Sequence, residues 1–453
     1  MSIHTAAQAT ASADPEPIEA ESLEATSSES GTAEAVASIA RTPAPAPYDA
    51  ILFASFGGPE GQDDVLPFLR NVTRGRGIPD ERLEEVAGHY RALGGRSPIN
   101  DQNRAMIAAL EKELEGRLID LPVYWGNRNW EPYTGDAIAS LHADGHRRVL
   151  ALVTSAYSSY SGCRQYREDF ALGLEQHGLF GEVTVDKVPS YFDQRGFLEP
   201  VADGVRTAIA ELRAEGHAPE HIEILFSTHS IPLTMSRTSG PPMSGSTDPQ
   251  VAEGGWYVAQ HLTACRWVIE QLAADDDDAA SADVVDAETT AVPSWQLVYQ
   301  SRSGAPHIPW LEPDINDVIG TLAADGGKTA VIVVPIGFVT DHVEVIWDLD
   351  TEAKETAAEH HLGFRRVATS GTDPRFIAML ADLIEQHLVP GTTRVPAVGC
   401  GVPVGTCGRT CCQAARSADA RPDPTAQPLE DIAAGLRAAT AAQAAAASEA
   451  RPA

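Results

Sequence analysis

The chain has 453 residues, of which 43% are hydrophobic, and a formal net charge of -31 at pH 7. This length exceeds what one hydrophobic core usually serves, so we expect two domains. The negative charge argues against nucleic acid and anionic membranes as main partners. We find no apolar run of about 20 residues and no basic–apolar leader. We therefore expect no integral membrane segment and a cytoplasmic protein, in which clustered thiols are more often metal ligands than disulfide partners.

Composition divides the chain into five parts. Residues 1–47 are rich in Ala, Ser, Glu and Pro with little to bury, which predicts a disordered acidic extension. We predict one domain over 48–195 and a second over 196–390, the latter with an acidic insertion near 272–293. A Cys-rich loop follows over 391–412, and the Ala-rich tail over 413–453 is predicted to be disordered.

Short apolar runs alternate with longer helical segments in the folded part. The predicted strands are "YDAILFASFGG" (48–58), "RRVLALVTSAY" (147–157), "HIEILFSTHS" (221–230) and "KTAVIVVPIGF" (328–338), with helices over 97–118 and 341–361. This alternation is typical of an α/β protein with parallel sheets. Each strand ends in a polar turn, and ligands bind outside the carboxyl ends of such strands. The four turns therefore predict one ligand cleft.

Two of these turns carry candidate chemical groups. His229 ends a strand, where an imidazole can accept a proton or bind a metal, or can simply be a satisfied histidine at a sheet edge. In "TDHVE", Asp341 and Glu344 have the spacing of a capping box, which needs no ligand. A carboxylate and an imidazole at a helix start could also handle a cation, so both interpretations remain open.

Arginines are concentrated in residues 70–104 of this acidic chain. They are Arg70, Arg74, Arg76, Arg82, Arg91, Arg96 and Arg104. Such a run is usually a solvated face paired with neighbouring acids, but the guanidinium fork also suits a rim that binds carboxylates or phosphates. Ser97 in "GGRSPIN" adds a hydroxyl donor. No glycine-rich nucleotide motif follows any strand, so a nucleotide is not indicated.

The stretch "CGVPVGTCGRTCC" contains Cys400, Cys407, Cys411 and Cys412. No second Cys or His pair follows at zinc-finger spacing. Three thiolates from one loop and one from elsewhere can hold an iron–sulfur cluster, and Cys163 in "YSGCRQY" is the best distant donor. Cys265 lies in a helical pattern and is interpreted as a core thiol. Reactive thiols and zinc remain alternatives to a cluster.

Taken together, the motifs resemble those of ferrochelatases, the lyases that insert ferrous iron into a porphyrin. The resemblance runs from about Ala50 to Leu388. It rests on "FASFGGPE" (53–60), "HYRALGGRSPIN" (89–100), "FSTHSIP" (226–232), "QSRSGAPHIPWLEPD" (300–314) and "PIGFVTDHVEVIWDLD" (335–350). The resemblance implies two similar Rossmann-like domains with a porphyrin cleft between them.

The resemblance also implies roles for individual residues. His229 matches the histidine that binds iron or takes pyrrole protons, and Glu344 matches its carboxylate partner. For Glu344 the resemblance therefore implies a catalytic role, which does not exclude capping. Ser97 and Tyr166 match positions that contact porphyrin propionates, and Tyr90, His89 and Arg74 are further candidates for that rim. Two departures stand out: Phe56 replaces a tyrosine iron ligand of some bacterial relatives, and Thr73 replaces an arginine.

The branch implied is the one that metallates coproporphyrin III to coproheme in haem b biosynthesis, with hand-over to neighbouring haem-pathway enzymes. Four propionates suit an arginine-lined rim, and we find no apolar lip like that of membrane-associated relatives. The alternatives are protoporphyrin IX or another tetrapyrrole and metal, or a non-catalytic tetrapyrrole-binding or iron–sulfur sensor. Related chains hold a 2Fe–2S cluster with a C-terminal thiolate trio and one internal Cys. This implies Cys163, Cys400, Cys407 and Cys411 as ligands, with Cys412 as the spare.

Overall fold

The structure is a computed structural model of the chain. It describes residues 47–74, 77–240, 246–280, 292–303, 307–389, 392, 395–398, 411–412, 430–434 and 437–438. Two four-stranded parallel sheets, each flanked by helices, form two lobes. The predicted α/β class with two similar parallel sheets is therefore confirmed.

The first sheet has the strand order β2-β1-β3-β4. Its strands are β1 (Ala50–Ser55), β2 (Val123–Asn127), β3 (Arg148–Val153) and β4 (Thr184–Lys187). Its helices are α1 (Val65–Val72), α2 (Asp80–Ala92), α3 (Ile99–Gly116), α4 (Thr134–Ala143) and α5 (Gln165–Gln176), with a 3-10 turn at Gln62–Asp64 and a first π-helix at Tyr160–Arg164. Every residue of β1 is buried, as expected for a central strand covered on both faces.

The second sheet repeats this arrangement in the order β6-β5-β7-β8. Its strands are β5 (Ile222–His229), β6 (Ser294–Gln300), β7 (Ala330–Val334) and β8 (Gly363–Arg366). Its helices are α6 (Arg195–Ala214), α7 (Leu233–Arg237), α8 (Pro249–Ala280, kinked at Gly255), α9 (Ile315–Asp325), α10 (Val343–Val345), a second π-helix (Ile346–Ala353), α11 (Lys354–Glu359) and α12 (Pro374–Leu388), with a 3-10 turn at Pro219–His221. None of the described helices is long and apolar enough to cross a bilayer.

The two lobes share one continuous hydrophobic core. Phe53 of β1, Phe226 of β5 and Phe376 of α12 belong to the same buried cluster. Helix α12 of the second lobe packs against both α3 of the first lobe and α6. Arg117, just after α3, reinforces this junction by pairing with Asp382 at 2.5 Å. These contacts therefore fix the position of the carboxyl end of one sheet relative to that of the other.

The segment after β7 differs from the single helix predicted over 341–361. It consists of α10, the second π-helix and α11 in succession. The capping-box alternative does not hold, because His342 occupies the N-cap position and no side chain caps the helix. Asp341 instead accepts a 2.6 Å hydrogen bond from Arg366. Neither Asp341 nor Glu344 therefore caps this helix.

Part of the C-terminal tail is ordered against the first lobe. Residues 430–434 and 437–438 are helical, and Ile432 and Ala433 are buried against Ala171 of α5. Arg437 forms an ion pair with Glu175 on the same helix. Ile432 and Ala433 pack here because α5 offers them an apolar surface. The disorder predicted for 413–453 as a whole stays a prediction.

Candidate active site

His229 is the last residue of β5, a strand paired on both sides. The chain turns directly afterwards, and the amide of Ser230 donates to the Gln300 carbonyl at 2.8 Å. This turn presents the imidazole at the carboxyl edge of the second sheet, with 34% of the side chain exposed. The position is the one at which open parallel sheets bind ligands.

The hydrogen bonds of His229 determine its tautomer. Its Nδ1 faces the carbonyl oxygen of Ser230, which can only accept, so Nδ1 carries the proton. Nε2 therefore has a free lone pair when the ring is neutral. This atom lies 3.7 Å from Oε2 of Glu344, whose side chain is 45% exposed. An imidazole lone pair and a carboxylate thus face each other, an arrangement able to take up protons or bind a divalent cation.

The second π-helix adds a carboxylate that the sequence analysis missed. Asp348 lies one helical turn beyond Glu344 and accepts hydrogen bonds from Ser301 Oγ and, at 3.3 Å, from Gln300 Nε2. Burial raises the pKa of Asp348 to about 7, and the charge of Glu344 adds to the shift. The spacing of Glu344 and Asp348 in "EVIWD" places both on one helical face, which is the signal that could have identified Asp348.

The first lobe contributes an aromatic cluster to the same region. Phe56 is 36% exposed just after β1, and its ring meets Phe68 edge-on at 6.3 Å. Tyr90 is buried against Phe68 and packs in a cluster with Val343, which precedes Glu344. Burial raises the pKa of Tyr90 well above its usual value, and the charges of Glu344 and Asp348 raise it further. Tyr90 therefore stays a neutral phenol beside the two carboxylates.

Ser97 and Tyr166 are buried in the walls of the first lobe. Ser97 is 3% exposed, and its amide donates to the Pro59 carbonyl at 2.9 Å. Tyr166 is also 3% exposed and lies under Arg128, whose guanidinium carbon is 4.1 Å from the ring centroid. Arg128 in turn pairs with Asp169 at 2.7 Å. Contact of Ser97 or Tyr166 with a ligand stays a prediction.

Most of the arginines in 70–104 are paired with acids, as the solvated-face interpretation predicts. The pairs are Arg70–Asp80, Arg82–Glu85, Arg91–Glu84, Arg96–Asp101 and Arg104–Glu60. Arg74 differs from these, since its described hydrogen bond goes to the neutral Asn71 Oδ1 at 2.6 Å. Arg76 lies outside the described residues. Within the described part of this segment, Arg74 is the exposed cation best able to meet an incoming carboxylate.

Three cysteines meet where the two lobes adjoin. The thiol of Cys412 is buried, lies 3.6 Å from that of Cys411 and is within hydrogen-bonding reach of that of Cys163. Cys400 and Cys407 lie outside the described residues. Within the described ranges, no group of three or more His, Cys, Asp or Glu side chains could hold a metal ion. Cys265 is fully buried in the core, as predicted.

Comparison with known proteins identifies the family of the chain. The ferrochelatase family profile matches residues 48–388. The chain is 52% identical to the coproporphyrin III ferrochelatase of Leifsonia xyli over 82% of this chain and 92% of the relative. It is 54% identical to the enzyme of the same name from Streptomyces griseus, over 75% and 85%. It is 42% identical to a ferrochelatase of Rhodopirellula baltica, over 81% and 93%. The chain therefore belongs to the ferrochelatase family.

Proposed function

We propose that this chain is a lyase of haem biosynthesis that inserts Fe²⁺ into coproporphyrin III to give coproheme. The observation that carries the proposal is the 3.7 Å approach of His229 Nε2 to Glu344 Oε2 at the carboxyl edge of the second sheet. Relatives from Leifsonia and Streptomyces, more than half identical to this chain, bear the name coproporphyrin III ferrochelatase. Their names support coproporphyrin III over protoporphyrin IX as the substrate.

Metallation releases two protons from the pyrrole nitrogens, so a base must lie beside the macrocycle. We assign this role to Nε2 of His229, because Nδ1 already carries the proton donated to the Ser230 carbonyl. The imidazolium formed by each proton transfer is stabilised by the Glu344 carboxylate. The proton can then pass to solvent, since both side chains are partly exposed.

The incoming Fe²⁺ is a substrate and must be held only loosely. Imidazole and carboxylate are suitable ligands for this ion. The Glu344 carboxylate, together with His229 Nε2 whenever that atom carries no proton, can therefore replace part of the water shell before the pyrrole nitrogens bind the ion. Phe56 contributes an apolar wall where some relatives have a tyrosine, so position 56 supplies no oxygen ligand to the metal.

Recognition of the four propionates is assigned to the rim of the first lobe. Arg74 is the favoured cation there, since its described hydrogen bond is to a neutral amide. Ser97, Tyr166 and Tyr90 complete the proposed set, although all three are buried in this structure. Contact of these three side chains with the substrate requires the cleft wall to move. Contact of Arg74 requires no such movement, because its side chain is exposed.

The same chain is proposed to hold a 2Fe–2S cluster. Its predicted ligands are Cys163, Cys400, Cys407 and Cys411, and the contact between the Cys163 and Cys412 thiols fits a thiolate site at this position. The described contacts favour Cys412 over Cys411 as the last ligand. Its thiol is buried and accepts the Gly240 amide at 3.2 Å, the kind of N–H···S bond that cluster sulfurs receive. When bound, the cluster would cross-link the tail to the first lobe through Cys163.

The cluster proposal is tested by the iron and sulfide content and the visible absorption of anaerobically purified protein. Cys163→Ser and Cys412→Ser are expected to lose both iron and sulfide. Cys265→Ser is the control, because the Cys265 thiol is buried in the hydrophobic core on α8 and is not a predicted ligand. Colourless wild-type protein without sulfide would contradict the cluster. If Cys412→Ser keeps its iron and sulfide and Cys411→Ser loses them, Cys411 is the last ligand, as the sequence predicts.

The function is tested by anaerobic turnover with Fe²⁺ and equal concentrations of coproporphyrin III or protoporphyrin IX. We expect faster metallation of coproporphyrin III. Equal or reversed rates would remove the substrate assignment, and porphyrin binding without metallation would favour the non-catalytic sensor. Repeating the assay with Co²⁺ tests the alternative metal. The cytoplasm remains the proposed compartment, and fractionation of cells tests it.

A further inference from the structure

A buried polar network lies directly behind His229. Thr228, Tyr257 and His261 are 1%, 6% and 0% exposed. Thr228 Oγ1 lies 3.0 Å from Tyr257 Oη and 2.9 Å from His261 Nε2. Tyr257 Oη also lies 3.1 Å from the carbonyl oxygen of His229. The network therefore connects β5 to α8 at the residue that bears the candidate base.

The partners determine where each proton of this network lies. His261 Nδ1 faces the Tyr257 carbonyl at 2.8 Å and must donate to it, so Nε2 of the neutral ring is an acceptor. The Thr228 hydroxyl must then donate to Nε2. The single proton of the Tyr257 hydroxyl is then shared between the His229 carbonyl and Thr228 Oγ1. The three side chains are therefore linked by a connected set of buried hydrogen bonds, which restricts their movement.

The surroundings hold the network in place from both lobes. The ring of Tyr157, in the turn after β3 of the first lobe, stacks on His261 with centroids 3.7 Å apart and planes at 10°. Burial lowers the pKa of His261 to about 3, so the ring stays neutral at any working pH. Gly337 leaves room for Thr228, since a Cβ there would lie 2.1 Å from Oγ1.

We propose that Tyr257 is a positioning residue for His229, acting through the hydrogen bond to its carbonyl and supported by Thr228 and His261. The hydroxyl ties the main chain at the end of β5 to α8, and this fixes the direction of Nε2 towards Glu344. The inference rests on the proposed iron insertion. It adds a role for a residue that touches neither porphyrin nor iron.

The test compares Tyr257→Phe with Tyr191→Phe. Tyr191 is an equally buried tyrosine whose hydroxyl donates to the Val153 carbonyl at 2.9 Å in the first lobe. Both variants lose a buried hydrogen bond to a carbonyl, and Tyr257→Phe also loses the contact with Thr228 Oγ1, so kcat is compared per folded enzyme. We expect kcat per folded enzyme to fall about threefold to tenfold in Tyr257→Phe alone, with KM for porphyrin unchanged. The reason is that only this variant loses a hydrogen bond to the main chain of His229, the proposed base.

A second pair of variants separates hydroxyl from packing. Thr228→Ser keeps the donor to His261 Nε2 and should retain kcat, whereas Thr228→Val should lower it as Tyr257→Phe does. Equal kcat in Tyr257→Phe and Tyr191→Phe would overturn the proposal, as would equal loss in Thr228→Ser and Thr228→Val. Wild-type turnover in the same assay distinguishes these outcomes from failure of the proposed function.

Discussion

The imidazole of His89 stacks on the indole of Trp347, with ring centroids 4.3 Å apart and planes inclined by 7°. His89 lies on α2 of the first lobe, and Trp347 lies on the second π-helix, close to Glu344. The indole Nε1 donates to Glu352 at 2.8 Å, which fixes the ring for stacking. The pair therefore joins the two lobes beside the candidate active site.

This contact predicts measurable coupling between the lobes. In a double-mutant cycle with His89→Ala and Trp347→Leu, we expect a coupling free energy of unfolding of about 1 kcal/mol, the usual size for a stacked aromatic pair. Urea unfolding of the four proteins measures it. Additive effects of the two substitutions would show that the stack does not hold the lobes together.

Arg74 is predicted to bind a substrate carboxylate. Arg74→Ala should raise KM for coproporphyrin III about fivefold with kcat unchanged, as expected when about 1 kcal/mol of uniform binding at an exposed charge is lost. Arg70→Ala is the matched control, since Arg70 is already paired with Asp80 at 2.8 Å. Steady-state kinetics at low salt should show the difference. Equal KM values for the two variants would exclude Arg74 from the rim.

Asp348 is predicted to make stability fall as pH rises. Burial raises its folded-state pKa to about 7, above that of an unfolded aspartate, so the folded state keeps a proton that the unfolded state releases. Ionising the buried Asp348 lowers the free energy of unfolding. This loss is smallest below the pKa of the unfolded aspartate and complete above the folded-state pKa, and Asp348→Asn removes it. The gain in unfolding free energy should be larger at pH 8 than at pH 5, by on the order of 2 kcal/mol.

Urea titrations of wild type and Asp348→Asn at the two pH values measure this difference. Asparagine can still accept the hydrogen bond from Ser301, so packing is preserved. A gain that is the same at both pH values would mean that Asp348 has an ordinary pKa in the folded protein.

The sequence predicted the central strands and missed the edges. The four predicted strands are β1, β3, β5 and β7, which are the two inner strands of each sheet. Inner strands are covered on both faces and form continuous apolar runs, whereas β4 and β8 are short and partly exposed. Edge strands such as "TVDK" and "GFRR" therefore carry too weak an apolar signal to be recognised.

The candidate site was predictable where a residue ends an inner strand, as His229 does. Glu344 could not be separated from a helix cap by spacing alone, because the pairing of Asp341 with Arg366 depends on tertiary contacts. Tyr257 carried no local signal either, since it lies within α8 and meets His229 only in the folded chain. The roles of Glu344 and Tyr257 therefore depend on contacts between segments that are distant in the sequence, which local patterns do not reveal.

Glu344 is predicted to act in the chemical step. Glu344→Gln keeps the size of the side chain but removes its charge, so we expect kcat to fall on the order of a hundredfold, the lower range for a group that assists proton transfer. Glu355→Gln, an exposed acid on α11, is the control. Stopped-flow metallation measures both. Near-normal kcat in Glu344→Gln would limit Glu344 to a structural role.

The most direct test of the account is anaerobic single-turnover insertion of Fe²⁺ into coproporphyrin III by wild type and His229→Ala. The account predicts rapid metallation by wild type, and none above the uncatalysed rate by a His229→Ala variant that unfolds at the wild-type temperature. Near-wild-type metallation by a folded His229→Ala protein would contradict it.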